Sequence, residues 1–191
     1  MLIFLIIFVS LLLIFNIFAL IFWLIQMKHE TKILKQWEET QKEKLRSAFS
    51  DLLKDTEKHD VGVECGSVYT RNMEFIKKFS GESGKVSLPD YDVPYIAMHT
   101  HPDCLTFSQS DVERFISRGE MDVLFAVGNN GSVYMLEKTE QYAAADFLRA
   151  FGNIENNYPN MRKSPTDYAS AMSDFLKGAE QYGVRYYEGT T

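Results

Sequence analysis

Two histidines one residue apart, His99 and His101 in Met98-His99-Thr100-His101-Pro102, carry the most pointed chemistry in the chain. At the end of a strand, side chains i and i+2 share a face, so both imidazoles can reach one ion. Zinc takes neutral imidazole nitrogen at about 2.0–2.1 Å, and a third protein ligand with one position left open makes a catalytic rather than a structural site. Asp111, ten residues past His101, is the natural third ligand. The same residues admit a plainer reading. Ser108-Gln109-Ser110-Asp111 fits the capping-box pattern, in which the serine is the N-cap and an acidic residue at N3 reaches back to it. On that reading Asp111 only starts a helix, and the histidines are an exposed pair beside a proline.

Positioning these groups requires a strand for the histidines and a helix for Asp111. Tyr95–His99 reads as a buried strand and Ser108–Arg118 as a helix. Upstream, the β-branched run at 61–69 (VGVECGSVY) predicts another strand, whereas turn signals divide 71–90 into short strand-like pieces. Met121–Val127 and Ser132–Leu136 form a hairpin around Asn129-Asn130-Gly131. Residues 139–152 and 165–180 are helical, and Gly183–Thr191 is strand-like or loose. No Gly or Pro precedes Gly62, so residues 28–57 continue as helix, with Ile33, Leu34, Trp37, Leu45, Phe49, Leu52 and Leu53 near helical spacing. The first half of that helix is expected to be a stalk and the second half to pack on the domain. Strands alternating with helices predict an α/β sandwich with its sheet covered on both faces.

The run HTHPDCLTFSQSD (99–111) resembles the JAMM signature of the JAB/MPN zinc metalloproteases, H-x-H-P followed by a short loop and S-x-x-D. The resemblance implies that His99, His101 and Asp111 bind Zn²⁺ and that Ser108 helps stabilise an oxyanion. It also implies that Glu64, in Val63-Glu64-Cys65-Gly66 on an earlier strand, is the general base that activates water. It spans roughly residues 40–150 and implies a three-layer α-β-α, cytidine-deaminase-like domain with a mixed sheet. The implied function is hydrolysis of a peptide or isopeptide bond in a peptide or protein substrate, with ubiquitin-like conjugates among the candidates. The spacer between His101 and Asp111 is one residue shorter than in the best-known deubiquitinating members and is similar to short-loop phage and bacterial variants. The inserted segments with which those deubiquitinases grip ubiquitin have no obvious room.

Composition bounds the setting. The formal net charge of -6, with no basic face interleaved with aromatics, argues against nucleic acid as a partner. The 2 cysteines, Cys65 and Cys104, form neither a disulfide framework nor a paired structural zinc motif and read as free thiols. From Leu2 to Met27 the only polar residues are Ser10, Asn16 and Gln26. That stretch of about 25 residues suffices for a hydrocarbon core of about 30 Å. It lacks the basic leader and the small-residue cleavage site of a signal peptide, so a retained single-pass membrane anchor in the lipid bilayer is expected. Lys28, Lys32, Lys35, Lys42, Lys44 and Arg46 follow it and place the soluble part in the cytoplasm. The expected organisation is an anchor at 1–27, a helical stalk and first domain helix at 28–57, the metalloprotease core at 58–153, and a C-terminal helical extension and tail at 154–191.

The remaining reactive side chains have plainer readings. Cys104 would need an activating histidine, and both nearby ones are better explained by metal. His29 and His59 read as surface histidines, Glu113 and Glu120 as the wet face of a helix, and Tyr182, Tyr186 and Tyr187 as packing or a mobile edge, with a substrate-contacting tail as the lesser reading. A rival from another class is a catalytically silent, membrane-tethered binding or scaffold module on the same fold. A zinc deaminase is disfavoured, because no Glu directly follows the first ligand and no Cys-x-x-Cys pair is present.

Overall fold

The computed structural model describes residues 41–60, 62–83 and 86–190. The chain divides into two compact units, residues 1–44 and 45–191, and the second holds the sheet and the candidate site. The expected anchor and the first part of the expected stalk lie outside the described residues. Among the described residues no helix is long and apolar enough to cross a membrane.

The fold is mixed α/β around one six-stranded mixed sheet. A helix over residues 41–56 (α1) precedes β1 (Val63–Thr70), β2 (Phe75–Ser83) and β3 (Tyr95–His101). Then follow α2 (Gln109–Ser117), β4 (Met121–Gly128), β5 (Ser132–Lys138), α3 (Ala144–Gly152), α4 (Ile154–Asn157), α5 (Pro165–Lys177), a 3-10 turn (Ala179–Tyr182) and β6 (Val184–Thr190). The strand order is β2-β1-β3-β4-β5-β6. Every neighbouring pair is antiparallel except β3 and β4, which run parallel.

Both faces of the sheet are covered, as alternation along β3 shows. Ile96 and Met98 point to a cluster with Phe125, Val127 and the apolar stripe of α1, Ala48, Phe49 and Leu52. Tyr95 and Ala97 point the other way, against Phe115 of α2, Phe147 of α3 and Met172 and Leu176 of α5. All seven residues of β3 are buried, so the period of two sends His99 and His101 to the second face, beneath α2.

Three local differences from the sequence-based expectation have physical causes. β2 runs unbroken through Ser80-Gly81, because pairing with β1 outweighs those turn signals. β3 continues to His101, two residues beyond the expected end, because it stays paired with β4 up to Gly128. The helix expected from residue 139 starts at Ala144, after a turn in which the Thr139 N–H donates to the Gly183 carbonyl.

Lys138 closes the far end of α2. Its ammonium donates to the carbonyls of Arg118 and Gly119 and lies 4.8 Å from the Phe115 ring centre and 5.0 Å from that of Tyr142. Burial pulls its pKa down to about 8, against the opposing charges of Asp122, Glu120 and Asp90. Between that value and the free-lysine value of about 10.4, the unfolded chain holds a proton that the native chain has released, so stability rises with pH there. The difference in urea midpoint between the parent and Lys138→Met should therefore shift in the parent's favour from pH 8 to pH 10.5 and stay flat from pH 6 to 7.5; a flat difference across the whole range would disprove the shift.

Candidate metal centre

β3 delivers His99 and His101 at its carboxyl end, and the N-terminus of α2 delivers Ser108 and Asp111 above them. His99 Nε2 lies 2.9 Å from His101 Nε2 and 3.4 Å from Asp111 Oδ1, while His101 Nε2 lies 3.2 Å from Asp111 Oδ2. Donor atoms around a tetrahedral ion with bonds of about 2.0–2.1 Å are separated by about 3.3–3.4 Å. The three side chains are thus gathered at close to the spacing of a shared ion. All three are buried, and together they can hold a metal ion.

Electrostatics favours a cation at this point. His101 Nδ1 lies 3.0 Å from the Leu105 carbonyl, which assigns that nitrogen as the N–H and leaves the Nε2 lone pair facing Asp111 in the neutral ring. Asp111 Oδ2 already accepts from the Ser108 backbone N–H at 2.9 Å and from Ser108 Oγ at 2.6 Å. A lone pair and a carboxylate oxygen 3.2 Å apart repel unless a proton or a metal lies between them. Without metal, the surroundings of His101 favour a proton in that place. Burial alone would favour neutral His101, but the Asp111 hydrogen bond and charge, with the Leu105 carbonyl and Glu64, outweigh it and raise its pKa. Burial likewise opposes ionised Asp111, yet the charge of His99 and the hydrogen bonds to His101 and His99 hold it well below the carboxylate range.

Asp111 fills the capping role, and the same side chain stands in the group that can hold a metal ion. Ser108 and Asp111 form a complete capping box at the start of α2, and the same carboxylate faces both imidazoles. The outer support is uneven: His101 has the Leu105 carbonyl, whereas His99 Nδ1 is buried with no partner among the described residues.

Glu64 and Ser108 meet this group in one cleft of about 370 Å³, which His101, Asp111 and Arg114 also line. In the antiparallel ladder Gly66 stands opposite His99, and the strand runs from there toward Glu64. A Cβ on Gly66 would come within 2.7 Å of Leu88, so the glycine lets the segment at 86–88 lie close over β1. Burial raises the pKa of half-buried Glu64, Asp111 adds to the rise, and the histidines and the Val86 N–H oppose it.

Sequence reasoning missed Arg114, whose Nη1 is 3.8 Å from Asp111 Oδ1. Its position three residues after Asp111, on the same helix face, was the available signal. It also missed the Leu105 carbonyl, which no side-chain pattern announces. Cys65 and Cys104 are free, and His59 and Glu113 are exposed as expected; Glu120 is exposed too, but in the turn after α2 rather than on the helix. No protein-family model, curated protein or solved structure matches the chain.

Elemental analysis of the purified full-length chain should find about one metal ion per chain, with most of it lost in His99→Ala and in Asp111→Asn. Asparagine keeps an oxygen able to accept the Ser108 N–H, so Asp111→Asn separates ligation from capping. Unchanged metal content in that variant would leave Asp111 with its capping role alone.

Proposed function

We propose that the chain is a membrane-anchored zinc hydrolase of the JAB/MPN metalloprotease kind, cutting a peptide or isopeptide bond with Glu64 as general base. The observation that carries this reading is the shared cleft: Glu64, a half-buried carboxylate with a raised pKa, lines the same cleft as His101 and Asp111. A structural metal site is closed by protein ligands, whereas three ligands beside an unligated carboxylate suit a hydrolytic one. Imidazole and carboxylate donors at this spacing suit zinc, which when bound would supply Lewis acidity and lower the pKa of water toward about 7.

The chain's own residues divide the remaining work. Glu64 takes a proton from the attacking water and returns it to the leaving amine, and its raised pKa brings it nearer the value at which one group does both. His101 is kept in one tautomer by the Leu105 carbonyl, so the same nitrogen always faces the site. Ser108 is the oxyanion donor in this reading. Its hydroxyl hydrogen is directed at Asp111 Oδ2, so that contribution requires the hydrogen to swing from the cap toward substrate. Ser108→Ala then costs both about 1 kcal/mol of helix capping and about 2.7–4 kcal/mol of barrier lowering.

The anchor rests on the apolar run at 2–27 and the cytoplasmic orientation on the lysines after it. Protease added to intact cells or spheroplasts should leave the domain uncut. Digestion there, with a cytosolic control protected, would reverse the orientation.

Glu64→Gln separates an enzyme from a silent scaffold. Glutamine keeps the volume and loses the proton acceptor, so metal content and melting temperature should hold while turnover falls by about 10²–10⁴-fold. Comparing membrane-associated proteins in cells carrying the parent or Glu64→Gln should show specific species accumulating uncut in the variant. Equal cleavage of an identified substrate by both proteins would remove Glu64 from the mechanism.

A further inference from the structure

The loop from His101 to Ser108 is fastened from outside the site. Leu105 orients His101 and Ser108 binds Asp111; between them sits buried Thr106, whose hydroxyl is 2.9 Å from the hydroxyl of Tyr186 on β6. Tyr186 Oη is in turn 2.8 Å from Glu188 Oε1. Ser173 Oγ of α5 lies 3.1 Å from Tyr186 Oη and 2.7 Å from Glu188 Oε1, and Lys177 Nζ lies 3.4 Å from Glu188 Oε2.

Proton counting gives this chain a direction. A phenol has one hydrogen and an ionised carboxylate has none, so Tyr186 donates to Glu188 and Thr106 donates to Tyr186. The Glu188 carboxylate is also ion-paired with Lys177, which anchors the chain in a charged partner. The Tyr186 ring packs edge-on against buried Phe107 at 6.4 Å. A phenylalanine would serve that packing equally well; only the hydroxyl reaches Thr106.

We propose that Tyr186 is a positioning residue of the metal centre: its hydroxyl holds Thr106, which sets the neighbouring Leu105 carbonyl that orients His101. The C-terminal strand thereby tunes a site on β3, three places away in the sheet order. This inference rests on the reading that His99, His101 and Asp111 hold a metal, but not on the reaction catalysed. Leu105 offers a backbone acceptor, and its placement follows the residue beside it. A loosened Thr106 lets His101 rotate away from the common point.

Competitive titration of the full-length chain with Zn²⁺, and the visible absorption of the Co²⁺ form, test it. Changes in the outer support of a metal-bound histidine weaken affinity by about 10–100-fold, and with one more link intervening the lower end, about tenfold, is expected for Tyr186→Phe. Thr106→Val should match it, Thr106→Ser should keep the parent affinity, and the double variant Thr106→Val/Tyr186→Phe should be no weaker than either single one. The Co²⁺ band should shift in Tyr186→Phe. Parent-like Zn²⁺ affinity and an unchanged Co²⁺ band in Tyr186→Phe would overturn the proposal even if its melting temperature fell, since that pattern is packing alone. If Tyr186→Phe does not fold, the contrast of Thr106→Val with Thr106→Ser decides, and equal affinities there overturn it. A parent that binds neither ion fails at the metal reading itself.

Discussion

Because β3 and β4 run parallel, the chain cannot turn back at His101; it must cross over the sheet, and α2 is that crossover. This topology brings the carboxyl end of a central strand under the amino end of a helix, the place where open α/β sheets collect their ligands. The two imidazoles come from the strand and the carboxylate from the helix. Neither element holds a site alone. The helix N-terminus carries partial positive charge, which favours ionised Asp111 in its first turn before any metal is considered.

That placement couples the fold to the site through one carboxylate. Oδ2 of Asp111 closes the capping box and also faces His101, while Oδ1 faces His99. Capping and ligation were competing explanations of one short motif, and the capping box leaves lone pairs of the same carboxylate directed at the two imidazoles. A ligand that binds only the native state stabilises it in proportion to the logarithm of its concentration. Metal held here therefore also secures the start of α2.

How much of this was legible in the sequence varied with the range of the interactions involved. The strand ending in His99, the helix capped by Ser108 and the turn at Asn129-Asn130-Gly131 are written in local spacing and turn chemistry, and each appears close to its expected place. β2 was not legible because its continuity through Ser80-Gly81 comes from pairing with β1. Tyr186 read as packing or a mobile edge because its partner at the site loop, Thr106, lies eighty positions earlier. Of the candidate site, the gathering of His99, His101 and Asp111 followed from strand period and spacing. Glu64 came from resemblance, and its entry into the same cleft depends on strand register and on the close approach that Gly66 permits.

The edge position of β2 has a consequence for how the folded chain behaves among its own copies. Among the described residues β2 is an outer strand of nine residues, and such an edge offers backbone groups that could template growth of the sheet from one molecule to the next. Lys77 and Lys78 sit in the middle of that strand, Lys78 tied to Asp55 at 2.7 Å. Register irregularities between Val63 and Cys65 and between Val68 and Tyr69 twist the pairing beside it. Charge and distortion together make this rim a poor template for a further strand.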